Sequence, residues 1–398
     1  MKHVARPRTA AAVAALLAAS VALTACGGDN ESSAAKPAEK ASGSPAAEVA
    51  DPIVTTYDGG LYVLDGKTLK LAEDIPLAGF NRVNPAGSDR HVMVSTSTGF
   101  QVLDAAGREL TGVEFEGSKP GHVVRHAGKT ILFADGTGVV TVFDPKDLGD
   151  TKPKNETYTS AAPHHGVAIQ LADGTLVTTL GTEEAGVGIA VLDKNRKEIT
   201  RSEECPGVHG EAAAQGEAVV IGCQDGVLVY KDGAIKKLKS PTEYGRIGNQ
   251  AGSEQSPVVL GDYKKDKDAE LERPEQVSLI DTEKGTIRLV DLGTSYTFRS
   301  LARGPHGEAL VLGTDGSIHV IDPATGKVTR KISALGSWQE PLDWQQPRPA
   351  LFVRDHTAYV SDPSNKKLLA IDIESGKQLA STELPETPNE LSGVVGQH

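Results

Sequence analysis

One short pattern recurs along the chain and limits its fold more than any other feature. An apolar run ends in Asp, turns through Gly, Lys or Asn, and leads into a second run. It appears as Val63-Leu64-Asp65, Val102-Leu103-Asp104, Val142-Phe143-Asp144 and Val191-Leu192-Asp193, then as Val229-Tyr230-Lys231, Leu279-Ile280-Asp281, Val320-Ile321-Asp322 and Ala370-Ile371-Asp372. The intervals are 39, 40, 49, 38, 50, 41 and 50 residues, the length of a four-stranded propeller blade. Between the turns the sequence alternates or forms short aliphatic runs bounded by Gly and Asp, which reads as strand; no convincing helical period follows residue 52.

Each repeat divides into an inner strand, a second strand, a third strand that ends at the Asp turn, and an outer strand. The third repeat shows this well, with runs from Val123 to Arg125, Thr130 to Ala134 and Val139 to Phe143 and an outer strand after a longer loop. The first repeat, Ile53 to Ile75, has only three runs, and the C-terminus ends in an orphan run, Glu390 to Val395. Pairing the orphan into the first blade would close the ring and leave no open sheet edge. The expected fold is therefore an all-β propeller over 52–398, with eight blades favoured. Seven results if one repeat of the longer spacing is a decorated loop. Two long loops, Gly181 to Gly188 and Asp262 to Glu275, fall between second and third strands and should overhang the same mouth of the channel.

Ahead of the repeats, residues 1–25 carry Lys2, Arg6 and Arg8, an Ala/Leu/Val stretch, and the ending Leu23-Thr24-Ala25-Cys26. This has the form of an export signal, and the ending resembles the bacterial lipobox, which makes Cys26 the lipidation site and first mature residue. Two acyl chains, at ~0.8 kcal/mol per buried CH₂, would hold the protein on the outer face of the cell membrane by the lipid alone. Residues 26–51 are Ser, Ala, Pro, Gly, Lys and Glu with almost nothing to bury, and read as a flexible tether. Removing the signal takes away three basic residues and no acid, so the net charge of −12 becomes −15. That excess of acid argues against nucleic acid as a partner. A monomer is expected.

Eleven histidines are present, and their places in the repeat differ. His91, His126, His306 and His356 fall at the turn after an inner strand, as polar turn residues. By contrast, His122 precedes Ile131 of its second strand by 9 residues, His165 precedes Leu176 by 11, and His209 precedes Val219 by 10. All three thus occupy the entrance to an inner strand, in consecutive blades, and should converge on one volume at one channel mouth. Three imidazoles arranged in this way suit Zn²⁺, with a carboxylate or water as fourth ligand. His164 replaces His165 if the strand phase is displaced by one residue. Glu211, two residues beyond His209 and so on the same side of a regular strand, is the preferred acidic ligand, and Asp343 is a weaker one. Zinc should be released as pH falls through the ordinary imidazole range near ~6.5.

Cys205 and Cys223 flank a hairpin turn at Gln215-Gly216, nearly opposite one another, and an oxidising compartment favours a disulfide between them. The alternative is that Cys205 joins His209 as a thiolate ligand.

The segments His164-His165-Gly166-Val167 and Cys205-Pro206-Gly207-Val208-His209-Gly210-Glu211-Ala212 resemble those of the AztD-type zinc metallochaperones. The resemblance covers roughly 52–398 and is strongest from 120 to 225. It implies a periplasmic or surface propeller that holds zinc through His122, His165 and His209, with His164 and Glu211 as further candidates. It also implies delivery to the solute-binding protein of a zinc ABC importer. Family members can carry a His-rich mobile segment; Gly27 to Asp51 contains no histidine.

Two other functions fit the same residues. A metal-dependent hydrolase or lactonase would use an open zinc position with Glu211 as general base. A scaffold without metal would use the histidines structurally. No Ser-centred nucleophile elbow is present, and the only tryptophans, Trp338 and Trp344, belong to one repeat, so the favoured reading is a metal carrier and not an enzyme.

Overall fold

The repeats fold into eight blades of four antiparallel strands, the fifth blade adding a short parallel strand at Gly245–Arg246, in a computed structural model that describes residues 47–396. The expected signal, Cys26 and the tether as far as residue 46 lie outside the described residues, as do Gln397 and His398. The count of eight and the ring closure expected from the sequence are both found. The C-terminal strand Leu391–Gly393 is the innermost of the first blade, pairing antiparallel with Ile53–Tyr57 in the register Ile53↔Gly393, Val54↔Ser392 and Thr55↔Leu391. Side chains help to lock the seam: Thr55 Oγ1 donates to the Glu390 carbonyl at 2.8 Å, and Thr56 Oγ1 accepts the Glu390 N–H at 3.0 Å.

Burial explains the hydrophobic pattern of each blade. Second and third strands such as Gly60–Leu64 and His91–Ser95 are covered on both faces by neighbouring blades, so every residue is buried and alternation disappears. An outer strand such as Leu71–Pro76 meets solvent and has no fully buried residue.

The recurring Asp has a local cause. At the turn between third and outer strands its carboxylate accepts backbone N–H groups two or three residues ahead: Asp65 from Thr68 (2.8 Å), Asp104 from Gly107 (2.7 Å), Asp281 from Lys284 (2.8 Å) and Asp372 from Ser375 (2.7 Å). Blade 5 departs from the pattern because it closes with a two-residue turn. Asp232 and Gly233 both take positive φ, 49° and 81°, between the paired residues Lys231 and Ala234, which is the type I′ geometry that suits a tight hairpin.

The two long loops differ from each other. Asp262 to Glu275 is a loop between Val258–Gly261 and Gln276–Asp281, pinned near its start by an antiparallel bridge from Lys264 to Arg246. The segment expected to loop from Gly181 to Gly188 is shorter, because the strands Leu176–Gly181 and Gly186–Leu192 extend into it and a bulge at Leu180/Gly181 absorbs the change of register.

Candidate metal centre

Blades 3, 4 and 5 bring His122, His165 and His209 together, with one ring nitrogen of each within 4.8 Å of the others. Ring centroids lie 5.4 Å (His122 to His165), 5.6 Å (His122 to His209) and 5.0 Å (His165 to His209) apart. His122 and His209 reach this position from irregular places in their strands. Inner strand Pro120–His126 of blade 3 carries a bulge between Pro120 and Val123, and His122 lies in it. Inner strand His209–Ala214 of blade 5 is bulged between His209 and Glu211 at Gly210, which has φ +71°. Bulges re-aim side chains at strand ends, and here they turn two imidazoles inward. His165 comes from the loop ahead of Ala168–Gln170 and is the most exposed of the three.

The outer nitrogen of two rings is already engaged. His209 Nδ1 lies 2.5 Å from the Gly248 carbonyl. A carbonyl can only accept, so Nδ1 carries the proton and Nε2 is a bare lone pair. His165 Nδ1 donates to Asp135 Oδ2 at 2.5 Å, which fixes the same tautomer when the ring is neutral. With both rings neutral the two Nε2 atoms face each other at 3.1 Å as two acceptors, and either a shared proton or a metal cation between them makes the contact favourable. A carboxylate or carbonyl on the far nitrogen is also the usual support of a metal-binding histidine.

These supports are held in turn. Asp262 Oδ1 accepts the N–H groups of Gly248 (2.6 Å) and Asn249 (3.1 Å), while its Oδ2 accepts the Asn249 side-chain amide (2.9 Å), so the first residue of the long loop aims the Gly248 carbonyl. Asp135 also accepts the Gly166 N–H at 3.3 Å. Its approach requires glycine at 121, where a Cβ would stand 2.7 Å from the Asp135 carboxyl carbon.

Burial sets the protonation states. It pushes His122 well below the usual imidazole value, helped by neighbouring His209, His165 and Arg82. His209 is lowered to about 4 by burial, with Arg246 and His165 adding to the shift. Both rings are therefore neutral, the form that binds metal. Glu211 is pushed up to about 8 by burial. Its carboxylate lies 3.9 Å from His122 Nδ1. The bulge explains this placement: the ladder pairs His209 with Gly222 and Glu211 with Ile221, so the same-side relation expected from their spacing does not apply, and Glu211 approaches the histidine of blade 3.

The remaining candidates lie elsewhere. His164 is buried with both nitrogens occupied, Nδ1 at 2.9 Å from the Ala162 carbonyl and Nε2 at 2.9 Å from Thr179 Oγ1, and it does not turn toward the cluster. Asp343 caps a turn by accepting the Gln345 N–H at 2.9 Å and does not belong to the cluster. Cys205 and Cys223 form a disulfide, so Cys205 has no thiolate to offer; the bridge ties the approach to His209 to the end of strand Ala218–Cys223. Asp135 was not singled out from the sequence, although its position in the turn between second and third strands of blade 3 puts it at the same mouth.

No family model matches the chain. In sequence it is 25% identical to the zinc chaperone AztD of Citrobacter koseri over 304 residues, covering 74% of this chain and 70% of that protein. In structure it is similar to apo AztD and to a second AztD crystal structure from that organism, with TM-scores of 0.72 and 0.73. Each is 22% identical, and each match covers 87% of this chain and 98% of theirs. The computationally designed protein Ika8 is similar in fold only, with a TM-score of 0.54 and 15% identity over 79% of this chain and 91% of its own. AztD is named as a chaperone, which agrees with the reading of this chain as a non-enzyme, and the chain is similar to it in sequence and shares its fold.

Proposed function

We propose that the protein is an extracytoplasmic zinc metallochaperone that holds one Zn²⁺ through His122, His165 and His209 and passes it to the solute-binding protein of a zinc ABC importer. The observation that carries this reading is the convergence of His122, His165 and His209, with the Nε2 atoms of His165 and His209 3.1 Å apart and their outer nitrogens on Asp135 and the Gly248 carbonyl. Such a pair, with the neutral His122 beside it, suits a borderline cation such as Zn²⁺ and leaves a fourth position for water or Glu211. That fourth position is where a receiving protein could begin to exchange ligands. The name of the Citrobacter relative supports the same reading. The buried Cys205–Cys223 bridge supports an oxidising compartment, and the Leu23-Thr24-Ala25-Cys26 ending supports attachment to the outer face of the cell membrane through lipid on Cys26.

The test is transfer under competition. Zinc-loaded protein is mixed with a metal-free solute-binding protein and an excess of chelator that captures any free zinc. Arrival of zinc on the solute-binding protein is the expected result, and zinc collected by the chelator alone overturns the handover. Replacement of Cys26 with Ser should release the protein from membranes or leave its precursor uncleaved.

A further inference from the structure

The opposite mouth of the channel has a histidine cluster of its own. His306 lies in the turn between Leu301–Arg303 and Ala309–Leu312 of blade 7. His356 occupies the equivalent turn of blade 8, between Leu351–Arg354 and Thr357–Asp362. Glu374 is in the blade 8 turn between Lys367–Asp372 and Gln378–Glu383, which an antiparallel blade places on the same face. His356 Nδ1 is 3.0 Å and His306 Nε2 3.6 Å from Glu374 Oε1, and one donor atom from each of the three residues lies within 4.8 Å of the others. Ligands around a tetrahedral zinc, at ~2.0 to 2.1 Å from the metal, stand roughly 3.3 Å apart, so the three donors need only small movements to share an ion.

The backbone under these side chains is fixed. The Ile373 N–H donates to the His356 carbonyl at 2.8 Å, joining the two blade 8 turns. Arg330 donates to the carbonyls of Ile373 and Glu374, and the His306 N–H donates to Glu308 Oε2 at 3.0 Å. The side chains themselves are 65% (His306), 49% (His356) and 62% (Glu374) exposed, so loading them with an ion requires no opening of the fold.

We propose that His306, His356 and Glu374 form a second, solvent-open site for a first-row divalent cation of the zinc, copper or nickel class, with water in the remaining positions. Two imidazoles and one carboxylate are the donors such cations select, and the ions that prefer all-oxygen cages are disfavoured. The site works separately from the first. A cavity of about 610 Å³ runs from Gly304, Pro305 and Asp355 beside it to Glu211 beneath the other cluster, but its wall carries Arg125, Lys129, Arg303 and Arg354 against the acids Glu254 and Asp355, an excess of positive charge. That excess opposes the passage of a cation, so the second site exchanges metal with solvent or with a partner at its own face.

The test uses the full chain with His122, His165 and His209 all replaced by Ala, titrated with Zn²⁺ by calorimetry and with Co²⁺ by absorption after circular dichroism has shown the fold to be intact. One equivalent is expected to remain, and it should be lost when His306→Ala and His356→Ala are added. In the wild-type background the same two substitutions should lower the stoichiometry from two to one. The proposal is overturned if the folded triple variant binds no metal, or if its equivalent survives loss of both His306 and His356. Because the first site is absent from the test protein, failure here leaves the chaperone reading untouched.

Discussion

The two mouths of the channel carry the same residue type in different physical states. At the first, His165 and His209 have their outer nitrogens engaged by Asp135 and the Gly248 carbonyl, and His122 and His209 are held neutral by burial. At the second, His306 and His356 stand in water and share the single carboxylate of Glu374. The contrast separates two ways of placing candidate metal ligands on one scaffold. Where the tautomer and charge are set before the ion arrives, little is spent on organising the ligands. Where they are not, each binding event must order exposed side chains, so the second site should be the weaker of the two.

The sharpest way to break this comparison is to remove ligands from the organised side. Loss of both His165 and His209 should abolish the tight zinc site, and each single His→Ala should weaken it strongly, as read by competition against a chelator. Replacing His306 and His356 should leave the affinity of that site unchanged. A tight site that outlasts the double substitution would sink the assignment.

The next effect concerns the buried acid. Glu211 has a folded pKa of about 8, raised by burial above the ordinary carboxylate value of 4.5. A raised folded value gives stability that is complete below pH 4.5 and is lost as pH climbs toward 8. In the zinc-free protein Glu211→Gln removes that dependence. The variant should match wild type near pH 4.5 and exceed it at pH 8 by several kcal/mol, on the order of 3 to 5. Urea denaturation across this range is the measurement, and parallel curves would show that no proton is held there. His209 acts in the opposite window. Its value is depressed to about 4, so stability is lost as pH falls from 6.5 toward 4. For the same reason zinc release should fall below the ordinary imidazole range expected from sequence, since two of the three rings resist protonation.

A smaller effect tests the supports. Gly210 takes φ +71°, and a Cβ there would lie 2.6 Å from the Gly248 oxygen that fixes His209. Gly210→Ala should cost ~1 to 3 kcal/mol of stability and weaken zinc binding together. Gly216, with φ +72° and open space around its missing Cβ, is the control: Gly216→Ala should lower the melting temperature while leaving zinc affinity alone. If both variants bind zinc equally, the Gly248 carbonyl does not orient the ligand.

How much of this could be read from the chain depends on the range of each interaction. The Asp turns were legible because their hydrogen bonds span two or three residues, as from Asp65 to Thr68. The convergence of His122, His165 and His209 was legible because the repeat puts equivalent positions at one mouth. What escaped is set by contacts between blades. Asp135 meets His165 across 30 residues and Gly248 meets His209 across 39, with no local pattern to announce either pair. The bulge at Gly210 likewise redirects Glu211 to His122 in a way that strict alternation does not anticipate.

Asp135 supplies the smallest expected change and the finest test of the comparison. Its carboxylate fixes the Nδ1–H tautomer of His165 and adds negative charge behind the ring, making Nε2 a better donor to a cation. Asp135→Asn keeps the shape but removes the charge, and the amide can rotate to donate to Nδ1, which would stabilise the tautomer with its proton on the metal-facing nitrogen. Such supports are generally worth 10 to 100-fold in affinity; here the loss should sit near the low end, about tenfold, because His165 is 55% exposed and water can replace part of the hydrogen bond. Zinc competition gives the size, and nitrogen NMR of His165 gives the cause. A tenfold loss with a shift toward the Nε2–H tautomer would tie affinity to preorganisation, whereas an unchanged affinity would mean that the first mouth gains its strength from burial alone.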